Sequence, residues 1–474
     1  MSRRLAWRAR LRAVGVALMV VVGLLVVAHA VVGLATRIDP PRVDLPQAGS
    51  THSWTRVRDG LRLVYLEGTP EAIGAAHASL LRDRMVTNES ELWGDFRKFV
   101  PWSVARAGIM DFSRLRYRHI DRGIPDARKR EIAAEALAFQ PDPFAEHLPT
   151  YQRMLFLYGL YDIALPLERS PLIGCTSFAI GASETADGHV LAARAFDFEA
   201  GDVFDRDKAV FLVREEGAIP FASVAWPGFV GVVTGMNAEG LVAVVHGGRA
   251  GEPSADGMPV AFSLREVLQH ARDTEEAAAI LSAQNVMVSH IVFLADARGQ
   301  FAVVERASHV PAYVRKTDRT VGVTNHFEGP LAADPKNDRV LRTTSTRARR
   351  TRLDELLGAI APGSATPASA LAILRDHACA GATCPVGDRR SIDALIATHG
   401  IVADTTSRVL WVSAGPHLSG RFVGLDLRTL LGPYHDPDAD PEPPVMPEDP
   451  ILHTPQYDEG RARAGGPKIG GDRR

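Results

Sequence analysis

The chain opens on an almost uncharged apolar run over residues 14–35, crosses a Pro-rich spacer at 38–46, and takes on a folded pattern from about Thr55. Residues 61–66 alternate with the period of two of a strand. Gly68-Thr69-Pro70-Glu71 then opens a helix through Leu81, with Thr69 as its cap. From about 85 to 165 apolar residues recur every three or four positions, most clearly over 127–139 and 151–163, and Pro141, Pro143 and Pro149 interrupt the run. At Cys175 the period switches to two. Strands are expected over 175–181, 189–196, 209–213, 221–225, 230–236 and 241–246, then a helical passage over 263–282. Strands at 290–295, 301–306 and 320–323 follow, with helices at 347–357, 367–378 and 392–397 and a closing strand pair at 409–413 and 421–426. Beyond Pro433 the chain is dominated by Pro, Asp, Glu and Gly and is expected to be disordered.

This pattern divides the chain into an N-terminal anchor or signal peptide (1–37), a linker (38–54), a helical N-terminal segment (55–174), a β-rich domain (175–432) and a tail (433–474). Composition adds little to that picture: 46% of the 474 residues are hydrophobic, 23% are charged, and the formal net charge is -2. No basic stripe appears in the body of the chain, so no nucleic-acid partner is expected. The first residues do change the picture. Arg3, Arg4, Arg8, Arg10 and Arg12 precede the apolar run, which by the positive-inside rule puts the remainder outside the cytoplasm. The run is long enough to act as a signal anchor. Ala28-His29-Ala30 also reads as the cleavage site of a signal peptide, and Ser2-Arg3-Arg4 hints at twin-arginine export. The expected location is an inner-membrane anchored protein with its folded part outside, or a secreted or periplasmic one.

Export bears on the three cysteines. Cys379 and Cys384 lie five apart in a turn-rich stretch and can form a short-loop disulfide, which leaves Cys175 as the odd thiol. With His377 alone nearby, a second ligand pair is missing, and no metal site is expected.

Cys175 stands in Gly174-Cys175-Thr176-Ser177-Phe178, and Arg194-Ala195-Phe196-Asp197-Phe198 begins nineteen residues after it. A lone cysteine is commonly a small buried hydrophobe. A cysteine freed by cleavage at its own amide, however, carries both a nucleophile and a base, because an α-amino group titrates near pH ~8. If 184–188 is the loop of a hairpin, Cys175 faces Asp197; a tighter turn at Asp187-Gly188 puts Ala200 there instead. Arg194 and Asp197 point to opposite faces of a regular strand, so serving one site calls for a twist or bulge.

These residues, with Thr234-Gly235-Met236-Asn237-Ala238-Glu239-Gly240, Thr324-Asn325-His326-Phe327, Leu66–Gly74 and Trp226-Pro227-Gly228-Phe229, resemble the cysteine N-terminal-nucleophile (Ntn) hydrolases. The branch they resemble is that of the autoproteolytic acyltransferase/hydrolases related to penicillin acyltransferase, with bile-salt hydrolases and acid ceramidase as more distant kin. The resemblance runs over about residues 60 to 430. It implies an α+β, four-layer αββα sandwich, with the helical segment before Cys175 as a pro-segment. It also implies cleavage of the Gly174–Cys175 bond, Cys175 as nucleophile, Asp197 orienting its amine, Arg194 holding the thiolate and Asn325 donating to the oxyanion. Arg347 resembles an arginine that distant relatives place beside the site. The bile-salt branch has a second asparagine where this chain has Gly247, beside His246, so a backbone N–H there or the His246 ring is a possible oxyanion or substrate contact. Asn237 is expected to shape the turn before Gly240.

The implied reaction is cleavage or transfer of the acyl group of a non-peptide amide through a Cys175 thioester, with no cofactor. Its partners are a small acyl-amide substrate, the chain's own N-terminal fragment, and a membrane through residues 1–37. Two alternatives stay open: an unprocessed cysteine hydrolase using His246 or His326 as base, and a non-catalytic exported binding or envelope protein on the same scaffold.

Overall fold

In the computed structural model the described residues are 2–46, 52–165, 173–198, 203–433 and 443–464. The strands, in chain order, are β1 (Trp54–Arg58), β2 (Leu61–Gly68), β3 (Ile173–Ile180), β4 (Leu191–Phe198), β5 (Ala209–Glu215), β6 (Phe221–Ala225), β7 (Thr234–Asn237), β8 (Val242–Gly247), β9 (His290–Ala295), β10 (Phe301–Ala307), β11 (Val310–Thr317), β12 (Val321–Val323), β13 (Ala397–Asp404), β14 (Val409–Ser413) and β15 (Phe422–Asp426). Among the described residues they form two sheets. One has nine strands in the order β1-β2-β5-β6-β7-β8-β9-β10-β11, and the other has six in the order β12-β3-β4-β13-β14-β15.

Alternation along these strands sorts their apolar residues into three cores. Leu63, Val210, Val244 and Phe293 of the larger sheet pack between the sheets against Ala192, Ile401, Val412 and Leu425 of the smaller one. Their neighbours on the other face, Val64, Phe211, Val245 and Val292, pack under Ile73, Ile132, Leu155 and Leu264 from helices Pro70–Phe99, Asp126–Ala138, Thr150–Tyr158 and Val260–His270. The outer face of the smaller sheet, with Phe178, Ala193, Val402 and Trp411, is covered by Leu353, Leu357, Leu371 and Leu374 from helices Thr346–Gly358 and Pro367–Leu374. The result is a helix–sheet–sheet–helix stack, as the α+β expectation required.

Several elements depart from the expectations. The strand expected at 61–66 is present as β2, but the segment before Cys175, expected to be helical, also adds β1, and β2 runs parallel to β5 inside the larger sheet. Residues 392–397 are not helical; Ala397 instead begins β13, which lies beside β4. The tail is not wholly disordered. Met446 exchanges backbone hydrogen bonds with Phe422 on the free edge of β15, Trp411 Nε1 donates to the Pro444 carbonyl, and helix Pro455–Ala464 buries Tyr457 and Gly460. Residues 434–442 and 465–474 lie outside the described residues. At the other end, helix Ser2–Ala35 includes a stretch, Arg10–Ala35, long and apolar enough by length and composition to cross a membrane.

A buried polar network ties the N-terminal helices to the rest. Arg128 donates to Glu131 and to Glu215 at the end of β5, while Arg265 Nη1 donates to Glu131 Oε1 at 2.9 Å. Beside it Glu135 accepts from the Tyr158 hydroxyl, and the His77 ring lies 3.6 Å from its other oxygen. Burial pushes the Glu135 carboxyl up to about 8 and the His77 ring down to about 3. A raised carboxyl stabilises the fold while it is protonated, so its contribution is complete below the usual value of 4.5 and is lost as pH rises through about 8. Thermal unfolding of Glu135→Gln is therefore expected to show a flatter decline in Tm between pH 5 and 8 than the unsubstituted protein. Equal slopes for the two would show that Glu135 is not the titrating group.

Candidate active site

The β3–β4 hairpin fixes the geometry. Gly174 pairs with Asp197, Cys175 with Phe196 and Ser177 with Arg194. This is one residue out of step with the expected pairing of Cys175 with Asp197, and it also excludes Ala200 as the partner. A slip of one residue reverses every side chain. Arg194 therefore shares the inter-sheet face with Cys175, while Asp197 lies on the outer face, and the β3–β4 ladder is regular, with no bulge. The loop that sets this register is held at Thr185, which forms a β-bridge with Ala365.

On the inner face, Arg194 is buried and crosses the gap between the sheets. Its Nη2 donates to Cys175 Sγ at 3.4 Å and to the Val245 carbonyl at 2.5 Å, and its Nη1 donates to the Val233 carbonyl and the Thr234 hydroxyl. The guanidinium carbon sits 4.5 Å from the Phe196 ring centre. Burial lowers the arginine's pKa, with the Cys175 sulfur and Asp197 opposing that shift. Burial also pushes the Cys175 thiol up, against the pull of Arg194, so the fully buried thiol is protonated.

On the edge of β3, β12 pairs so that Ser177 faces Val323. Continuing that antiparallel register by two residues brings Asn325 opposite Cys175. Asn325 Oδ1 accepts from the Cys175 backbone N–H at 2.7 Å and from Arg349 Nη2 at 2.8 Å, and its Nδ2 donates to the Gly247 carbonyl at 3.1 Å. Two donors on one oxygen fix the orientation of the amide.

From the outer face, Arg349 Nη1 donates to the Cys175 carbonyl at 2.6 Å and to Thr176 Oγ1 at 2.9 Å. Arg349 is thus a second arginine on Cys175, beside Arg194. Arg347, the residue singled out from the sequence, is exposed and stands outside this cluster. Helix phase is the reason: Arg349, Leu353 and Leu357 repeat at four-residue spacing on the buried face, and Arg347 is two positions away from it. That spacing was present in the sequence and would have separated the two arginines.

Gly174 meets Asp197 closely. A Cβ at 174 would fall 2.9 Å from Asp197 Oδ2, so a side chain there would displace the carboxylate. His246 is fully buried with Nε2 2.8 Å from Ser177 Oγ, and burial with Arg194 nearby pushes its pKa well below the usual value, so the ring is neutral. His326 Nδ1 lies 3.1 Å from the hydroxyls of Thr324 and Thr346. Gly247 meets the site through its carbonyl, not the N–H expected as an oxyanion donor. Asn237 does shape its turn: its Oδ1 accepts from the N–H groups of Glu239 and Leu241, around Gly240 at φ 82. Cys379 and Cys384 form a disulfide with Cα atoms 5.9 Å apart. Sequence reasoning also missed Thr234 and His399, whose Nε2 lies 2.8 Å from the Thr234 hydroxyl that Arg194 binds.

With this geometry in view, residues 184–377 match the family model described as acyl-coenzyme A:6-aminopenicillanic acid acyl-transferase. The matched range holds Arg194, Asp197, Asn325 and Arg349 and begins nine residues after Cys175. The match bears out the resemblance to the penicillin acyltransferase family. An uncharacterized protein of Archaeoglobus fulgidus is 23% identical over 270 residues, 51% of this chain and 42% of that protein, so the chain spans less than half the length of this relative. Among solved structures, the chain is similar to the Caenorhabditis elegans ortholog of N-acylethanolamine-hydrolyzing acid amidase (15% identity, TM-score 0.37, covering 49% of this chain and 93% of that one). It is also similar to penicillin V acylase from Agrobacterium tumefaciens (21%, 0.34, 53% and 92%) and to a variant of conjugated bile acid hydrolase from Clostridium perfringens (14%, 0.38, 54% and 94%).

Replacing Arg349 with Met leaves the Cys175 carbonyl and Asn325 Oδ1 short of a charged donor and is expected to destabilise the protein by about 3 kcal/mol. Arg347→Met should stay within about 0.5 kcal/mol of the parent. Urea unfolding of the two variants compares them directly, and equal losses would remove Arg349 from its assigned place.

Proposed function

We propose that this chain is an exported Ntn amide hydrolase or acyltransferase that activates itself by cutting before Cys175. The observation that carries the reading is the convergence of buried side chains on Cys175 and the two peptides that flank it. The Cys175 N–H is held by Asn325, its carbonyl by Arg349, its sulfur by Arg194, and the preceding Gly174 lies against Asp197.

Self-cleavage begins with addition of the thiol to the Gly174 carbonyl. The C–N bond then breaks as the nitrogen takes the proton, leaving Gly174 as a thioester on Cys175 Sγ and a free α-amine. Water adds to the thioester, releasing the Gly174 carboxylate and restoring the thiol. In the mature chain the amine takes the thiol proton and the thiolate attacks the acyl carbon of an amide. The leaving amine departs with that proton, and water or an acceptor amine resolves the thioester. Arg194 steadies the thiolate, Asp197 orients the amine, and Asn325 stabilises the oxyanion, a type of contact whose loss costs roughly 10²–10³ in kcat.

The reading with a histidine base has less support. His246 spends Nε2 on Ser177 and His326 spends Nδ1 on threonine hydroxyls, whereas the side chain bonded to the thiol is Arg194. Helix Ser2–Ala35 supports the anchor as the form of export, with the folded part outside the cytoplasm.

Mass measurement of the purified protein is expected to give two fragments that meet at Gly174/Cys175, and Cys175→Ala to remain whole and inactive towards a panel of acyl amides. Full-length protein that turns over those amides would overturn self-cleavage and favour an internal thiol. A Cys175→Ala protein with unchanged function would favour the non-catalytic reading.

A further inference from the structure

Helix Ser103–Arg116 carries an apolar stripe that the fold leaves uncovered. Val104, Phe112 and Leu115 recur with helical spacing around Gly108, and they are 73%, 64% and 43% exposed. Trp102, just before the helix, is 80% exposed, and Phe99 and Ile109 widen the patch. On the opposite side Met110 packs on the core and Arg114 is buried, so the stripe is the helix's outward face.

The same helix is fastened to the apolar N-terminal helix. His29 Nδ1 lies 2.8 Å from Asp111 Oδ2, and Arg114 Nη2 donates to the Gly33 carbonyl at 3.1 Å. The folded body begins just beyond: Gln152 Nε2 donates to the Thr36 carbonyl at 2.7 Å, and Ile38 is buried in the core. At ~1.5 Å per residue the apolar stretch is roughly 39 Å long, against ~30 Å of hydrocarbon, so its last turns reach the headgroup region. His29 and Gly33 lie within about 9 Å of its end, which is the depth at which interfacial helices sit. Residues 97–118 hold six basic residues (Arg97, Lys98, Arg106, Arg114, Arg116 and Arg118) against one acid, Asp111. An exposed tryptophan, an apolar stripe and surrounding cations are the composition of a segment that beds into anionic lipid.

We propose that helix Ser103–Arg116 lies in the lipid–water interface, its Val104–Phe112–Leu115 stripe in the acyl region, and acts as a second membrane contact beside the N-terminal span. The proposal rests on reading helix Ser2–Ala35 as an anchor that stays attached.

The test uses the full chain, in a Cys175→Ala background, reconstituted into vesicles of phosphatidylethanolamine and phosphatidylglycerol. Nitroxides are attached at Val104→Cys, Phe112→Cys and Val22→Cys, the last at the centre of the span. Collision with oxygen, which partitions into lipid, is compared with collision with a water-soluble nickel chelate. Lipid-like ratios at 22, 104 and 112 are the expected result. A lipid-like ratio at 22 with water-like ratios at 104 and 112 would overturn the interfacial helix and leave the anchor standing. Water-like ratios at all three would overturn both. Shielding of 104 and 112 from both reagents, with dipolar broadening between labels, would replace the bilayer with a second copy of the chain.

Discussion

A single buried cation holds the two sheets together where the chemistry is placed. Arg194 leaves the smaller sheet and finds its acceptors on the larger one, the Val233 and Val245 carbonyls and the Thr234 hydroxyl, with its remaining reach on the Cys175 sulfur. A guanidinium removed from water is tolerable only if its N–H groups find such acceptors in place. The spacing of β7 and β8 from β4 is therefore fixed by the same side chain that meets the Cys175 sulfur. A change in sheet packing would leave the cation short of partners, and a change at Arg194 would take a charged donor from the Val233 and Val245 carbonyls.

Strand alternation explains how residues on opposite faces of β4 can serve one bond. Cys175 and Arg194 face inward, while Asp197 and the helix that carries Arg349 lie outward. The peptide between Gly174 and Cys175 belongs to neither face, because its N–H and carbonyl lie in the plane of the sheet. Asn325 from the β12 edge holds its N–H and Asp197 lies against Gly174, while Arg349 holds the next carbonyl along, that of Cys175, and none of this needs a bulge. The twist or bulge expected from side-chain directions is needed only if every group must touch the sulfur, and here Asp197 approaches the Gly174 side instead.

The sequence carried the strand periods around Cys175, the order of the motifs and the disulfide. It did not carry the register. Opposed positions in β3 and β4 depend on how the 181–190 loop folds, and that loop is held by a bridge from Thr185 to Ala365, almost two hundred residues away. β11 was missed because Val310–Thr317 packs only partly and mixes Lys and Arg into its alternation. β13 was missed because Ala-Thr-His-Gly breaks the apolar pattern of a strand that is buried throughout. The second arginine on Cys175 was within reach of sequence reasoning, since Arg349, Leu353 and Leu357 mark one helix face. The tail is a different case: its polar composition describes its surface, and a few anchors such as Met446 and Tyr457 decide that it folds back.

The N-terminal segment gains its meaning from what a cut before Cys175 would leave intact. β2 lies between β1 and β5, so separating the fragments would strip one edge of β5 of its backbone partner. It would also pull Arg128 away from Glu215 and Glu131 away from Arg265, splitting a network whose ion pairs cross between the two fragments. Charges buried as a matched set lose more when one half is removed than when the whole set stays dry. Apolar cover by helices is one reason for such fragments to stay together. Shared strands and shared charges supply a stricter one, because they specify both the partner and its register, and they allow the peptide bond at 174–175 to break without the fold depending on it.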